Sequence, residues 1–555
     1  MHTVLIVALT SWCAGTSALD LSGPWQLDNP SKPEPYYATL LAPNTYTVNC
    51  SVTAKTACGW VQANISQSGT SLSVSFSNGA QDTGSVDSGF TYITWRDGSA
   101  WKRPPPKGQL THVHFAPHSH MDPGWFQTVD DLYETLFKGV VEDVVASLAA
   151  FPQRTFAAEH AVIFAMYYST ANASQQALMR AHVARGALEF TGGGWVQPDE
   201  AITRHEDLID QLTLGRAFLT GTLGHAPLKT AWIADPFGHS TSSAAMHAAA
   251  YADLLLLGRE MSPLDPISAQ SGAVWHPTAS LPNPGAFAPG SSILTQDYHV
   301  YCDPYRGMLD NLKKNDTSAA VQQLLSFVQG AASRPPYHSQ LIVMFGDDAP
   351  SQAPFAQMYP AMDALLAAAN ALTPATNFSF SYSTPGRYVA ALAASLAGQQ
   401  GSGGAFPPRA PWDMLPLVGN EFPYWVGYYT SRPELKQAVH ASSALFRAAS
   451  QLHALSGSAA WEEELGDLLP LWRSLGLAQH HDIITGDCWD LGAFYLLCFF
   501  FLSLFLLLLL RGVHFPTFAL ERWHPHAFAR IFHSHAQLHH ARNTRTHTHT
   551  HTRSE

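Results

Sequence analysis

Between residues 111 and 400, short apolar runs alternate with longer stretches in which apolar residues recur every three or four positions. The short runs predict buried strands, and the longer stretches predict amphipathic helices. The predicted strands are residues 113–116, 188–191, 230–234, 253–257, 292–295 and 340–345, and the predicted helices include 132–148, 205–219 and 358–372. Strands that alternate with helices imply a parallel sheet, closed into a barrel or doubly wound, whose chemistry gathers at the carboxyl ends of the strands.

The segments on either side of this α/β region have different patterns. Residues 20–105 are rich in Ser, Thr, Gly and Asn, and they contain strictly alternating stretches such as residues 71–76 (SLSVSF). That alternation predicts a small all-β module. Residues 413–487 are helical in pattern and predict the start of a helical bundle. We therefore expect an α/β catalytic domain at residues 110–400, with the β module before it and the partial bundle after it.

The charge of the chain limits its partners. Lys and Arg total 30 against 42 Asp and Glu, so the formal net charge is −12. Nucleic acid is excluded as the main partner because binding a phosphate backbone requires basic clusters. Many of the 28 histidines lie in a low-complexity tail at residues 511–555, which is rich in His and Arg. The histidine count therefore does not measure metal-binding capacity.

The two ends of the chain indicate a secretory route. Residues 1–18 combine a short apolar run with small residues, which is typical of a signal peptide. Residues 491–510 carry no charge and are long enough to cross a bilayer, so they predict a transmembrane helix. The repetitive tail that follows leaves open the alternative that residues 488–555 are an unrelated extension. We expect a protein of the Golgi membrane or lumen, or a secreted one, with any membrane contact made through residues 491–510.

Acidic and histidine residues cluster where several of the predicted elements end. The clusters are 118–125 (HSHMDPGW), 232–240 (WIADPFGHS), 345–348 (FGDD) and 479–486 (QHHDIITG). His120 and Asp122 stand two residues apart in an extended turn, where both can face one divalent ion. The pair Asp347 and Asp348 can keep one member protonated by mutual repulsion. Together the four clusters predict a metal-dependent active site.

These strings resemble those of a known family. Residues 118–125 are similar to HSHNDPGW, and residues 232–240 to WAIDPFGHS, of the Golgi-type α-mannosidases in glycoside hydrolase family 38. Further similar strings are 193–200 (GGWVQPDE), 424–433 (YWVGYYTSRP) and 479–486. They follow the family's order over roughly residues 110–487, and the family's later β domains have no counterpart here. The chain thus resembles a C-terminally truncated member.

The resemblance implies a (β/α)7-type barrel and one zinc ion. By position, the implied zinc ligands are His120, Asp122, Asp235 and His481. Asp235 would also be the nucleophile that forms a covalent mannosyl-enzyme, and Asp348 would be the general acid and then the general base. Such a retaining mechanism needs one ionised and one protonated carboxyl group about 5–5.5 Å apart.

Four further residues are candidates for substrate contact. Asp347 would tune Asp348, Trp125 and Trp425 would offer apolar faces to a sugar, and Asp482 would accept hydrogen bonds from hydroxyl groups. Ordinary packing is the alternative for the last three. Ala349 and Pro350 follow Asp348 where family members usually have Phe and Arg, which makes the acid a weaker match than the nucleophile.

The function that these expectations favour is that of a zinc-dependent retaining α-mannosidase, which hydrolyses terminal α-mannosyl residues of glycoprotein N-glycans. Two alternatives stay open. A metal-dependent amidohydrolase or deacetylase also places His and Asp residues at the strand ends of a barrel, but it does not need Asp348. A truncated, inactive protein that binds mannose-containing glycans is the other.

Overall fold

The computed structural model describes eight strands between residues 23 and 102 and most of the chain from residue 110 to residue 488. Within this second part the description excludes residues 251, 260–271, 276–292, 298–302, 315, 333–337, 398–405, 407, 410–412, 419–423 and 457–460. The predicted signal peptide, the apolar segment 491–510 and the tail lie outside the described residues. Among the residues that are described, no helix has the length and apolar character needed to cross a bilayer.

The first eight strands form an antiparallel ring. They are β1 (Gly23–Leu27), β2 (Tyr36–Ala42), β3 (Thr45–Asn49), β4 (Gln62–Ser68), β5 (Ser71–Phe76), β6 (Gln81–Val86), β7 (Tyr92–Trp95) and β8 (Ala100–Lys102). Each strand pairs with the next one, and β1 also pairs with β8, where Gln26 lies opposite Lys102. Closure of this kind leaves neither edge strand unpaired.

From residue 111 onward, strands and helices alternate, which confirms the α/β class. The strands are β9 (Thr111–Pro117), β10 (Phe156–Ala158), β11 (Leu188–Phe190), β12 (Thr230–Ile233), β13 (Leu254–Leu257), β14 (Ala273–Trp275), β15 (Ile293–Asp297), β16 (Gln340–Phe345), β17 (Phe378–Tyr382) and β18 (Pro408–Arg409). The strand predicted at residues 340–345 matches β16. Every residue of β16 is buried, which explains the unbroken apolar run that follows Gln340.

The α/β strands pair in three sheets, with the orders β16-β9-β17, β10-β11 and β12-β13-β15-β14-β18. A parallel bridge between His118 and Ala157 links β9 to β10. The amide of Gly192 donates to the carbonyl of Thr230 at 2.8 Å, which links β11 to β12. These contacts place β16, β9, β10, β11, β12, β13 and β15 side by side in that order. Among the described residues, no strand pair joins β15 to β16 and closes this series into a barrel.

The helices cover the strands. They are α1 (Val129–Leu132), α2 (Lys138–Ala150), α3 (Ala161–Thr170), α4 (Ala173–Ala184), α5 (His205–Ala217), α6 (Thr241–Ala249), α7 (Asp303–Lys313), α8 (Thr317–Ala332), α9 (Phe355–Ala371), α10 (Thr373–Thr376), α11 (Pro385–Ala397), α12 (Pro433–Ser456) and α13 (Trp461–Ala478). The helix predicted at 132–148 is present, and a π-helical turn at Tyr133–Phe137 lies within it, between α1 and α2. The main core packs α2, α3 and α9 against β9, β10 and β16.

The last two helices support the final loop of the described chain. Phe446 of α12 and Trp472 of α13 pack with their ring centroids 5.7 Å apart. Ile483 and Ile484 are fully buried in the same cluster as the apolar residues of these helices. The loop 479–486 is therefore fixed by packing, and it holds two histidines at a defined position.

Candidate active site

Four side chains from three separate parts of the chain meet at the carboxyl ends of the strands. His120 and Asp122 follow β9, Asp235 follows β12, and His481 lies in the loop after α13. One ligand atom from each of these residues lies within 4.8 Å of the others, and all four residues are buried. The structure thus brings together the whole set of residues that the resemblance implies as zinc ligands.

The distances within this cluster are short. Nε2 of His120 lies 2.6 Å from Oδ1 of Asp122 and 3.9 Å from Oδ2 of Asp235. Nε2 of His481 lies 3.2 Å from Oδ2 of Asp235 and 3.4 Å from Oδ1 of Asp122. Two imidazole nitrogens and two carboxylate oxygens therefore face one small volume, and these are donor types that can bind a divalent metal ion.

The hydrogen bonds behind the two imidazoles fix which nitrogen carries the proton. Nδ1 of His120 lies 2.5 Å from Oε2 of Glu159, and Nδ1 of His481 lies 2.9 Å from the carbonyl oxygen of Gln197. A carboxylate and a carbonyl can only accept, so each neutral imidazole donates from Nδ1. Both Nε2 lone pairs then point toward carboxylate oxygens. Lone pairs that meet in this way need a cation between them, and metal-bound histidines show this backing by an acceptor.

The electrostatics of the cluster also call for positive charge. Burial would lower the pKa of His120, but the carboxylates of Asp122 and Glu159 outweigh burial and raise that pKa well above its ordinary value. Burial has the same effect on His481, and Asp482, Asp122 and Asp235 outweigh it to raise its pKa. The site therefore favours a bound cation, and a metal ion would compete with protons for these imidazoles.

Asp235 is held as an anion. Its Oδ1 accepts a hydrogen bond from Nε of Arg259. Burial alone would raise the pKa of the Asp235 carboxyl, but the Arg259 guanidinium and the His481 imidazole outweigh burial and hold that pKa well below its ordinary value. The Arg259 guanidinium lies 5.4 Å from the ring centroid of Phe237 and 5.3 Å from that of Trp425, which are cation–π distances. Trp425, a predicted sugar contact, is thus also part of the support for Asp235.

The pair Asp347 and Asp348 lies directly beside the first ligand. A parallel bridge joins His120 to Asp348, in which the amide of His120 donates to the carbonyl of Asp347 at 3.0 Å. The amide of Ala349 donates to the carbonyl of His120 at 2.7 Å. Asp347 is fully buried, and its Oδ1 accepts from the amide of Asp348 at 2.8 Å, whereas Asp348 is only partly buried. Asp348 therefore has the exposure that an acid needs to reach a substrate.

The remaining predicted residues occupy two different environments. Asp482 is buried, with Oδ2 3.3 Å from Nε2 of His480, and that nitrogen lies 3.4 Å from Oδ1 of Asp122. Asp482 therefore adjoins the cluster. Trp125 is partly exposed, and its ring meets the edge of Phe126 at a centroid distance of 5.3 Å.

Sequence reasoning missed three residues that hold this cluster together: Glu159, Gln197 and Arg259. Glu159 follows β10, and Arg259 follows β13 by two positions, so a search of every strand end could have found both. β10 escaped prediction because it has only three residues. Gln197 lies within the string 193–200, but no residue pattern there assigns it a role.

Comparisons with known proteins agree with this geometry. The family model described as the N-terminal domain of glycosyl hydrolases family 38 matches residues 110–427, and the model of the alpha mannosidase middle domain matches residues 423–490. The chain is 30% identical over 419 residues to a lysosomal alpha-mannosidase of Dictyostelium discoideum, covering 69% of this chain and 39% of that protein. It is 28% identical over 420 residues to the lysosomal alpha-mannosidase of Homo sapiens, with the same two coverages of 69% and 39%.

A solved structure shares the fold. An alpha-mannosidase from Enterococcus faecalis superposes with a TM-score of 0.55 at 18% sequence identity, over 71% of this chain and 41% of that one. At this identity the similarity concerns the fold alone. The chain therefore spans about two fifths of the length of the relatives that it matches.

Proposed function

The chain belongs to glycosyl hydrolase family 38, and from this premise we propose that it is a zinc-dependent, retaining α-mannosidase that acts on terminal α-mannosyl residues of glycoprotein N-glycans. The observation that carries the proposal is the convergence of His120, Asp122, Asp235 and His481 within 4.8 Å. The α-mannosidase names of the relatives support the same activity. The side-by-side order of seven strands supports a (β/α)7-type barrel as the catalytic domain.

The four converging side chains fit zinc, and they would hold one ion. When bound, zinc would supply positive charge beside Asp235 and open positions for sugar hydroxyl groups. Glu159 and the Gln197 carbonyl hold the two imidazoles so that their Nε2 atoms face the ion. Arg259 holds the Asp235 carboxylate by its Oδ1.

In the first step that we propose, Asp235 is the nucleophile and Asp348 the acid. A carboxylate oxygen of Asp235 attacks the anomeric carbon of the mannosyl residue and forms a covalent ester bond. The glycosidic bond breaks, and its electron pair goes to the leaving oxygen. Asp348 gives its proton to that oxygen, so the aglycone departs as a neutral alcohol.

In the second step Asp348 acts as a base. It takes a proton from a water molecule, whose oxygen attacks the anomeric carbon from the face that the aglycone left. The bond to Asp235 breaks, and the carboxylate is regenerated. Two inversions at one carbon give net retention of configuration.

We also propose how the chain is divided into domains. The catalytic domain would span residues 110–400, and a partial helical bundle would span residues 413–487. The β module at residues 20–105 would precede them. Relatives named as lysosomal support a lumenal compartment of the secretory pathway. The membrane contact predicted through residues 491–510 lies outside the described residues.

The test uses the purified full chain with added zinc. It should release the aglycone from an aryl α-mannoside, and a mannose-type mechanism-based inactivator should label Asp235. Labelling at another residue would contradict the assigned nucleophile. Release of acetate from an N-acetylated glycan without mannoside turnover would favour a deacetylase, and binding of mannosides without turnover would favour an inactive glycan-binding protein.

A further inference from the structure

We infer that Gln197 is a positioning residue that couples the two halves of the metal cluster. This inference rests on the proposed zinc site, and it concerns how the chain holds that site. Gln197 is 6% exposed and lies between β11 and β12, in the string 193–200. Its side chain and its backbone each bond to a different part of the cluster.

The side-chain amide is fully bonded. Its Oε1 accepts from the amide of Ala234 at 3.0 Å. Its Nε2 donates to the carbonyl of Trp232 at 3.0 Å and to Oε2 of Glu159 at 2.9 Å. A backbone N–H on one side and two acceptors on the other allow only one orientation of the amide group. No other polar side chain of similar length supplies one acceptor and two donors at these points.

These bonds fix the backbone that carries Asp235. Trp232 belongs to β12, and Ala234 directly precedes Asp235. The Gln197 amide therefore bonds the chain on both sides of Ile233, at the point where the strand ends. The direction of the Asp235 carboxylate depends on the course of this backbone.

The third side-chain bond fixes the support of His120. Oε2 of Glu159 accepts from Nε2 of Gln197 and from Nδ1 of His120, while Oε1 accepts from Nδ1 of His118 at 2.9 Å. Gln197 thereby holds the carboxylate that orients the first metal ligand.

The backbone of Gln197 holds the opposite ligand. Its carbonyl accepts from Nδ1 of His481 at 2.9 Å and from the amide of His481 at 3.2 Å. Its own amide donates to Nδ1 of His160 at 3.1 Å. One residue thus bonds to the supports of His120, Asp235 and His481, and loosening it should disturb all three ligands together.

The test compares two glutamine substitutions. Gln197→Met keeps the size of the side chain but removes its three hydrogen bonds. Gln340→Met is the matched control. Gln340 is buried, and its Oε1 lies 2.9 Å from Nε2 of His114. It begins β16, at the end of that strand opposite to Asp347 and Asp348. The readout is the dissociation constant for zinc, measured by competition with a chromophoric chelator on the metal-stripped full chain.

Gln197→Met should bind zinc about 10- to 100-fold more weakly than the wild type, as expected when an outer hydrogen-bond partner of a metal ligand is lost. Its far-UV circular dichroism should match that of the wild type, and excess zinc should restore most of its kcat on an aryl α-mannoside. Gln340→Met should bind zinc as the wild type does. Wild-type zinc affinity in Gln197→Met would overturn the inference, and so would a loss of the same size in Gln340→Met.

A second variant distinguishes the loss of hydrogen bonds from misfolding. Gln197→Glu keeps the acceptor for the Ala234 amide but turns a carboxylate oxygen toward Glu159, so zinc binding should weaken here too. If neither Gln197 variant folds while Gln340→Met does, Gln197 serves the fold and the inference fails. Absence of zinc binding or of mannosidase activity in the wild type would instead refute the proposed function itself.

Discussion

Two regions of the same sheet treat histidine in opposite ways. In the middle of β9, His114 lies 2.7 Å from Oγ of Ser383 and 2.9 Å from Oε1 of Gln340, so that each ring nitrogen has a partner of matching character. Past the carboxyl end of β9, the Nε2 atom of His120 faces carboxylate oxygens while Nδ1 bonds to Glu159. The middle of the strand satisfies its polar groups internally, whereas the residues past its carboxyl end are arranged to receive a cation.

Stability and function are thus divided between the interior of the sheet and the carboxyl ends of its strands. Parallel α/β folds use the carboxyl ends of their strands for chemistry, and the amino ends contribute mainly to stability. Substitutions in the two regions should therefore change different measured quantities.

Loss of the nucleophile should have the largest effect. Asp235→Asn keeps the size of the side chain but removes the attacking carboxylate, so turnover of an aryl α-mannoside should fall by about 10⁴-fold or more. The matched control is Asp363→Asn, since Asp363 pairs with Arg154 at 2.5 Å and accepts from the hydroxyl of Tyr382 at 2.7 Å, away from the cluster. That control should lose thermal stability and keep its turnover per folded molecule. Equal losses of turnover in both variants would contradict the assignment of Asp235 as the nucleophile.

Loss of the acid should have the next largest effect and should depend on the substrate. Asp348→Asn cannot donate a proton, so hydrolysis of mannosides with poor leaving groups should fall by about 10²- to 10⁴-fold. Mannosides with activated aryl groups need less protonation and should lose much less. Steady-state kinetics with a series of leaving groups measure this dependence, and an equal loss across the series would remove Asp348 from the acid role.

Loss of the hydrogen bonds that hold one proposed metal ligand should have a smaller effect. Glu159→Gln replaces the carboxylate that His118 and His120 share, and zinc affinity should fall by about 10- to 100-fold. Ser383→Ala removes one partner of His114, in the middle of β9, and should leave zinc affinity unchanged. Chelator competition measures both affinities. A drop for Ser383→Ala as large as for Glu159→Gln would mean that zinc affinity does not depend on the residues past the strand ends in particular.

A buried acid beside the site should lower stability at neutral pH. Burial raises the pKa of Asp199 to about 6, although its Oδ1 accepts from the amides of Ala201 and Ile202. A raised pKa means that the folded state prefers the protonated form, so stability falls as the pH rises from the usual value near 4 through about 6. The free energy of unfolding of Asp199→Asn should therefore be about 1–3 kcal/mol higher than that of the wild type at pH 7.

The same substitution should have little effect near pH 4, where the wild-type carboxyl is already protonated. Denaturant unfolding at the two pH values measures the difference. Asp363→Asn provides a control of opposite sign, because it leaves Arg154 without its carboxylate and should destabilise the protein at pH 7. A stability gap for Asp199→Asn that does not change with pH would contradict the explanation.

Most of the proposed metal ligands could be predicted from the sequence, but the residues that hydrogen-bond to those ligands could not. His120, Asp235 and Asp348 follow apolar strands whose pattern is local and therefore visible. His481 follows a helix rather than a strand; its string 479–486 stands out as a histidine pair beside an acid, but only the resemblance to a known family indicated His481 as a ligand. Gln197 bonds to the backbone near residue 234 and to Glu159, and such non-local hydrogen bonds leave no periodic trace in a sequence.

The most direct test of the proposed metal site is the zinc content of two variants, each of which replaces one histidine in or just after β9. His120→Ala removes an imidazole just past the carboxyl end of β9, and His114→Ala removes one from the middle of that strand. Both variants keep the His-rich tail, so zinc held by the tail cancels in their difference. After dialysis against zinc and gel filtration, elemental analysis should find one zinc fewer per chain in His120→Ala than in the wild type or His114→Ala. Equal zinc contents in all three proteins would contradict a metal site at the carboxyl end of the sheet.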